Sequence, residues 1–126
     1  MYKRKQTTAC TLALLAFAAP AAAQSCKPGD SRMPGLYSLR GVMEVGSQIL
    51  LKPDGSFQYM LAYGAVDEAA EGCWQRINDV VILTPTKMQV SKGGNKFERL
   101  SLPVVDAGKL ARRFGERQVG MYERNK

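Results

Sequence analysis

Residues 57–63, Phe-Gln-Tyr-Met-Leu-Ala-Tyr, repeat their character every two positions, and this period constrains the fold more than any other feature of the chain. Side chains of an extended strand point to opposite faces in turn. Phe57, Tyr59, Leu61 and Tyr63 therefore share one face, with Gln58, Met60 and Ala62 on the other. The strand also has a defined start: Pro53 presets φ, the Asp54 carboxylate caps the turn, and Gly55 takes the left-handed position.

The same strand-and-turn habit runs through the rest of the chain. Extended runs at 35–43 and 47–52 precede this turn, and runs at 69–77 and 80–84 follow it, joined by Asn78-Asp79 as a tight hairpin turn. A short strand at 86–91 is closed by Gly93-Gly94-Asn95. Residues 97–105 place Leu100, Leu102 and Val104 on one face, and Pro103 within that run marks an edge or a bulge. Asp106-Ala107-Gly108 and Gly115-Glu116 then turn the chain into runs at 109–114 and 118–123. No segment sustains a 3.6-residue apolar period, and residues 108–114 are the one place where a helix competes. The expectation is an all-β fold of about seven to nine short strands, a small antiparallel up-and-down barrel or, as the alternative, a β-sandwich.

The first residues read differently. Lys3, Arg4 and Lys5 precede an uncharged apolar run over 9–19, which Pro20 breaks before Ala21-Ala22-Ala23. That is the layout of a secretory signal peptide with cleavage near Ala23/Gln24. The apolar run is about half of the roughly 20 residues that span a bilayer, so no transmembrane segment is expected in the mature chain. The expected organisation is a cleaved signal peptide over 1–23 and one β-barrel-like domain over 24–126, with a periplasmic or secreted location.

Removing the leader changes the counts. Three of the 18 basic residues leave with it and none of the 11 acidic ones, so the net charge falls from +7 to +4. The remaining excess gathers in the C-terminal third at Lys109, Arg112, Arg113, Arg117, Arg124 and Lys126. Such a cluster suits an acidic partner, an anionic polysaccharide or a lipid surface, although a solvated strand face is its ordinary use. No nucleic-acid-binding module is recognisable. Cys10 also leaves, and the two remaining cysteines, Cys26 and Cys73, read as a disulfide in an exported chain. Such a staple contributes up to roughly 4 kcal/mol in the chain-entropy model. The competing reading is lipidation of Cys26, for which Gln24 fits poorly.

The chain contains no histidine. Ser-His-Asp and Cys-His catalysis, His-based zinc sites and haem attachment are thereby excluded, and the widely spaced cysteines make no redox or thiolate metal centre. Any acid–base chemistry falls to carboxylates, lysine or tyrosine. No cofactor or metal is expected.

Two short patterns occur twice. Gly35-Leu36-Tyr37 is echoed by Gly72-Cys73-Trp74, and Ile49-Leu50-Leu51-Lys52-Pro53 by Val81-Ile82-Leu83-Thr84-Pro85. A glycine two before an aromatic lets a neighbouring strand approach while the ring covers one end of a core. This succession of glycine-x-aromatic, apolar strand, PDG turn, aromatic strand and second G-x-W resembles small secreted lipocalin-like, or calycin-type, meander barrels. The string from Pro53 to Trp74 also resembles short exported bacterial proteins of uncharacterised activity. The resemblance covers residues 35–85 and extends to the C-terminal third in outline. Tyr37 stands where a true lipocalin carries tryptophan. The resemblance implies a barrel able to hold a small apolar or amphipathic ligand.

Two candidate sites follow. Phe57, Tyr59 and Tyr63, with Trp74 on the next strand, either line a pocket for an apolar or sugar ligand or simply form the core. Asp67, Glu68 and Glu71 lie in what reads as an acidic loop at 65–71, either solvated, or holding a cation or partner, or splitting into acid and base for glycoside hydrolysis. The leading functional expectation is a non-catalytic exported binding module. The alternatives are an interaction or inhibitor protein acting on an envelope partner and, more weakly, a carboxylate-based glycan hydrolase.

Overall fold

The computed structural model describes residues 25–126; the leader expected over 1–23 lies outside the described residues. Eight antiparallel strands follow one another around a closed barrel. They are β1 (Gly35–Arg40), β2 (Val45–Leu51), β3 (Ser56–Tyr63), β4 (Val66–Ile77), β5 (Val80–Val90), β6 (Leu100–Asp106), β7 (Lys109–Phe114) and β8 (Gln118–Arg124). Each strand pairs with the next, and β8 returns to β1 with Tyr37 opposite Arg124 and Arg40 opposite Met121. Closure leaves no strand without a partner on each side and rules out the sandwich.

Several local expectations change. The segment at 108–114 is strand β7, because Leu110 alternates into the core and pairs with Tyr122. The runs at 80–84 and 86–91 are one strand, β5, bent where Glu71 pairs with Lys87 but Gly72 pairs with Pro85. The extra residue of that bulge is Thr86. Here the glycine is required: a Cβ on Gly72 would collide with the Thr84 carbonyl and the Pro85 backbone. The supposed acidic loop at 65–71 is largely strand, since β4 begins at Val66 and pairs with Tyr63 across the turn. Pro103 lies inside β6 opposite Val80, next to an irregularity between Val104 and Asp106.

The turns behave as their residues require. Gly55 has φ of 90° and donates to the Lys52 carbonyl, while the Asp54 carboxylate accepts from both the amide and hydroxyl of Ser56. These hydrogen bonds hold the Asp54 carboxyl below the usual carboxylate range. Asn78, in the two-residue β4–β5 turn, takes a positive φ of 56°.

The inward positions divide the barrel into two halves. At the end where β1 begins, Ile49, Leu51, Phe57, Trp74, Val81, Leu83, Leu102 and Leu110 are fully buried. A strap at 25–34 caps this end. Cys26 is joined to Cys73, Met33 is buried, and the Tyr37 hydroxyl donates to the Met33 carbonyl at 2.6 Å. The Trp74 indole donates to the Lys52 carbonyl at 3.0 Å and lies so close under Gly29 that no side chain fits there. Arg124 completes the seal, with its guanidinium over the Tyr37 ring and donating to the Arg32 carbonyl at 2.8 Å.

The opposite half is closed less evenly. β5 pairs with β6 only from Val80–Pro103 to Leu83–Leu100, and β6 with β7 only at Val104–Leu110 and Asp106–Lys109. The upper part of β5 thus has no β6 partner, and the loop at 91–99 lies over that stretch of wall.

No helix among the described residues is long and apolar enough to cross a membrane. The outward positions of β3–β5 carry Gln58, Glu71, Lys87 and Gln89 along with the exposed Met60, while the buried apolar side chains point inward. A transmembrane barrel has the reverse arrangement.

Candidate functional site

The upper half of the barrel gathers inward polar side chains, whereas those of the lower half, Arg76 and Arg124, lie at its capped end against the strap. β2 delivers Ser47, β3 Tyr59, β4 Glu68, β7 Arg112 and β8 Tyr122. Each lies at an inward position of its strand: Arg112 is two residues from buried Leu110, and Ser47 two from buried Ile49. Ser47 and Glu68 are the buried polar residues of the barrel interior, 5% and 7% exposed.

Their hydrogen bonds form one directed chain. Nη1 of Arg112 donates to the Tyr59 hydroxyl at 3.1 Å and to the Tyr122 hydroxyl at 3.0 Å. Tyr59 passes its own proton to Oε1 of Glu68 at 2.8 Å. Ser47 donates to the Met60 carbonyl at 2.7 Å, so its only proton is committed. The 2.8 Å contact between Ser47 and Tyr122 therefore has the phenol as donor. Every hydroxyl proton runs away from Arg112.

The accounting leaves a remainder. A guanidinium has five N–H donors. Nη1 spends both of its hydrogens on the two tyrosines, while Nη2 and Nε meet no protein acceptor among the described residues. The face of the group is not free, since its central carbon lies 4.6 Å from the Phe114 ring centroid and 5.6 Å from that of Tyr59. Burial acts to lower the Arg112 pKa, but the Tyr122 and Tyr59 oxygens outweigh it and the group is held protonated. Burial likewise pushes the Tyr59 hydroxyl well above the usual phenol range, against the opposing pull of the Arg112 charge.

Glu68 ties this chain to the loop over the wall. Its Oε2 accepts from the Asn95 amide at 2.9 Å. Two residues on, the Phe97 amide points at the Met88 sulfur, and its ring meets that of Tyr59 edge-on with centroids 5.2 Å apart. Phe97 is thus a half-buried aromatic side chain carried on a loop, resting against the polar chain.

The candidates expected from sequence are dispersed over this frame. Phe57 and Trp74 belong to the sealed apolar half, Tyr59 is central to the polar chain, and Tyr63 stands at the rim, 52% exposed. The three acids separate with the strand period, Glu68 inside and Asp67 and Glu71 outside. No two of them face a common point. No group of three or more metal-ligating side chains comes together among the described residues. Of the basic C-terminal set, Arg112 and Arg124 turn inward at opposite ends of the barrel.

Sequence reasoning missed Arg112, Tyr122, Ser47, Asn95 and Phe97. The strand period grouped the first two without saying which face turns in: Leu110, Arg112 and Phe114 share a parity, as do Gly120, Tyr122 and Arg124. No protein-family model, curated protein or solved structure matches this chain.

Proposed function

We propose that the protein is an exported, non-catalytic binding module that takes a small amphipathic molecule into the upper half of its barrel. The observation that carries this reading is the division of the interior. The lower half is a packed apolar core. The upper half combines aromatic and aliphatic surface from Phe114, Met88 and Leu61, with the Phe97 ring resting in it, and a guanidinium whose three remaining N–H donors meet no protein acceptor among the described residues. Apolar walls with a few convergent polar groups are the usual make-up of a small-molecule site.

Stability alone is a poor account of this arrangement. Arg112 is half-buried and gives up part of its hydration, and apolar packing of the same volume is often the more stable choice. The Cys26–Cys73 disulfide suits an oxidising compartment and agrees with the export expected from the leader. The likeness to lipocalin-type barrels lies in the closed up-and-down architecture, and it supports the same reading by analogy of form.

A neutral lipophilic fluorescent dye tests this directly. The mature protein is expected to bind it saturably, one dye per chain, with emission shifted to the blue. A fluorescence that rises linearly without saturation, or no response at all, removes the support for an internal site.

A further inference from the structure

Resting on that reading, we infer that the ligand is a small organic monoanion, a single carboxylate on a compact aromatic or apolar body, with the carboxylate seated on the Nε/Nη2 edge of Arg112 and the body in the place now held by the Phe97 ring.

The sign of the charge follows from the donor count. In the upper barrel the Tyr59 and Tyr122 hydroxyls each accept from Arg112 and donate onward, and Glu68 accepts on both of its oxygens, whereas three Arg112 N–H groups meet no protein acceptor among the described residues. A cationic ligand would meet Arg112 without a free partner. A neutral alcohol would fill at most one or two of the three remaining donors. A carboxylate matches the two parallel N–H groups along one edge of a guanidinium, the pairing that gives Arg its preference for such anions.

The number of charges follows from the local balance. One cation and one carboxylate lie in the upper barrel, and no ion pair joins them among the described residues. A monoanion pairs with Arg112 and leaves the excess charge that Glu68 already carries. A dianion would add a second negative charge beside half-buried groups with no second cation to meet it, at a desolvation cost.

The size follows from what is filled. Below Tyr59 the barrel is occupied by Phe57, Trp74, Ile49 and Leu83, all fully or almost fully buried, so a long chain has no path downward. The space available on exchange is that of Phe97. This residue sits on a loop containing Gly93 and Gly94, beside the stretch of β5 that lacks a β6 partner. Its ring packs edge-on to Tyr59 as the body of an aromatic ligand would. Phe97 is a built-in occupant that a ligand displaces.

The experiment is a calorimetric titration of the mature, disulfide-bonded protein with naphthoate, the corresponding neutral naphthylmethanol, the cationic naphthylmethylamine, and palmitate. Naphthoate is expected to bind, with the alcohol and amine weaker by about tenfold or more, the range for losing hydrogen bonds to a charged group. Palmitate is expected to bind no better than naphthoate. Arg112→Lys keeps the charge but removes the fork, and should weaken naphthoate while leaving the alcohol unchanged. Phe97→Ala should tighten naphthoate by removing the competing ring.

Equal affinity for acid and alcohol overturns the carboxylate seat while leaving an internal site standing. If none of the four compounds and no neutral dye binds, the internal site itself falls. Tighter binding of palmitate overturns the limit on size, and weaker binding to Phe97→Ala overturns the displacement. The ligand series on the unaltered protein decides the charge even if Arg112→Lys does not fold.

Discussion

Tyr59 stands between a donor and an acceptor of opposite charge, and its contact with Glu68 depends on its hydroxyl being neutral. It accepts from Arg112 and gives its proton to Glu68. Burial raises its pKa well above the ordinary phenol range, and Tyr37 at the sealed end is raised for the same first reason. The linkage sign is then fixed. A group whose folded pKa lies above its unfolded value contributes stability that is complete below the unfolded pKa, about 10 for tyrosine. That contribution is lost as pH climbs from there toward the folded pKa. In a spectrophotometric titration, Tyr37 and Tyr59 are expected to stay protonated until the fold opens, with denaturant stability falling above pH ~10. Phenylalanine at position 59 should flatten that fall. If ultraviolet absorbance shows all tyrosines ionising while the near-ultraviolet dichroism stays native, the buried chain is wrongly drawn. At this scale the sequence was legible for apolar residues and misleading for charged ones. Phe57 and Trp74 were placed inside by hydrophobicity, whereas Arg112 was grouped with a solvated basic face. Nothing local in Lys109–Phe114 reveals which face closes on a core, and only the partner strand settles that Leu110 drags Arg112 inward.

The strap at 25–34 is the element that makes one end of the barrel a sealed core. It pairs little of its backbone; apart from Gly29 donating to the Pro53 carbonyl, it is held by Met33, by Trp74, by Arg124 on the Arg32 carbonyl, by Arg76 beside Asp30 and by the disulfide. The bridge spans 47 residues of chain, and for a loop of that size the chain-entropy stabilisation is at most about 4 kcal/mol. Replacing Cys26 and Cys73 together by serine should cost about 2–4 kcal/mol in urea unfolding. Trp74 is the only tryptophan, so its emission should shift to the red as the strap frays away from its indole. A loss below about 0.5 kcal/mol with unshifted emission would mean that packing alone seats the strap. Elements as such were readable wherever turn chemistry was explicit. Pro53-Asp54-Gly55 and Asn78-Asp79 stand at the ends of the strands they were expected to join. The failure at 65–71 has a physical cause: acidic residues are poor strand formers in isolation, and β4 is a strand because it pairs with β3 and β5 on both sides.

For the molecule as a whole, the uneven wall is what couples fold to function. β3 and β4 pair continuously from Ser56–Cys73 to Tyr63–Val66, whereas β6 is joined to its two neighbours by short ladders. The barrel is closed, but its closure is weakest around β6, directly beside the loop that carries Phe97. Local opening free energies range from near zero to the global value, and the lowest belong to segments with few protected backbone bonds. Native-state hydrogen exchange is therefore expected to find the amides of β6 and of residues 91–99 opening first, at least about tenfold faster than those of β3 and β4. Asn95 is the informative probe in the loop, because its amide is held by Glu68. In Glu68→Gln it should exchange faster while β3 stays slow, since the amide group can offer an acceptor to only one of the two donors that Glu68 serves. If β6 exchanges with the slowest set, the wall is uniform and an internal site has no route through it. If it exchanges early, and the open form is the one that binds, the apparent affinity of an occupant is its intrinsic affinity multiplied by the open fraction. Ligands that displace the Phe97 ring should then speed exchange at the Phe97 amide before they affect any other part of the barrel.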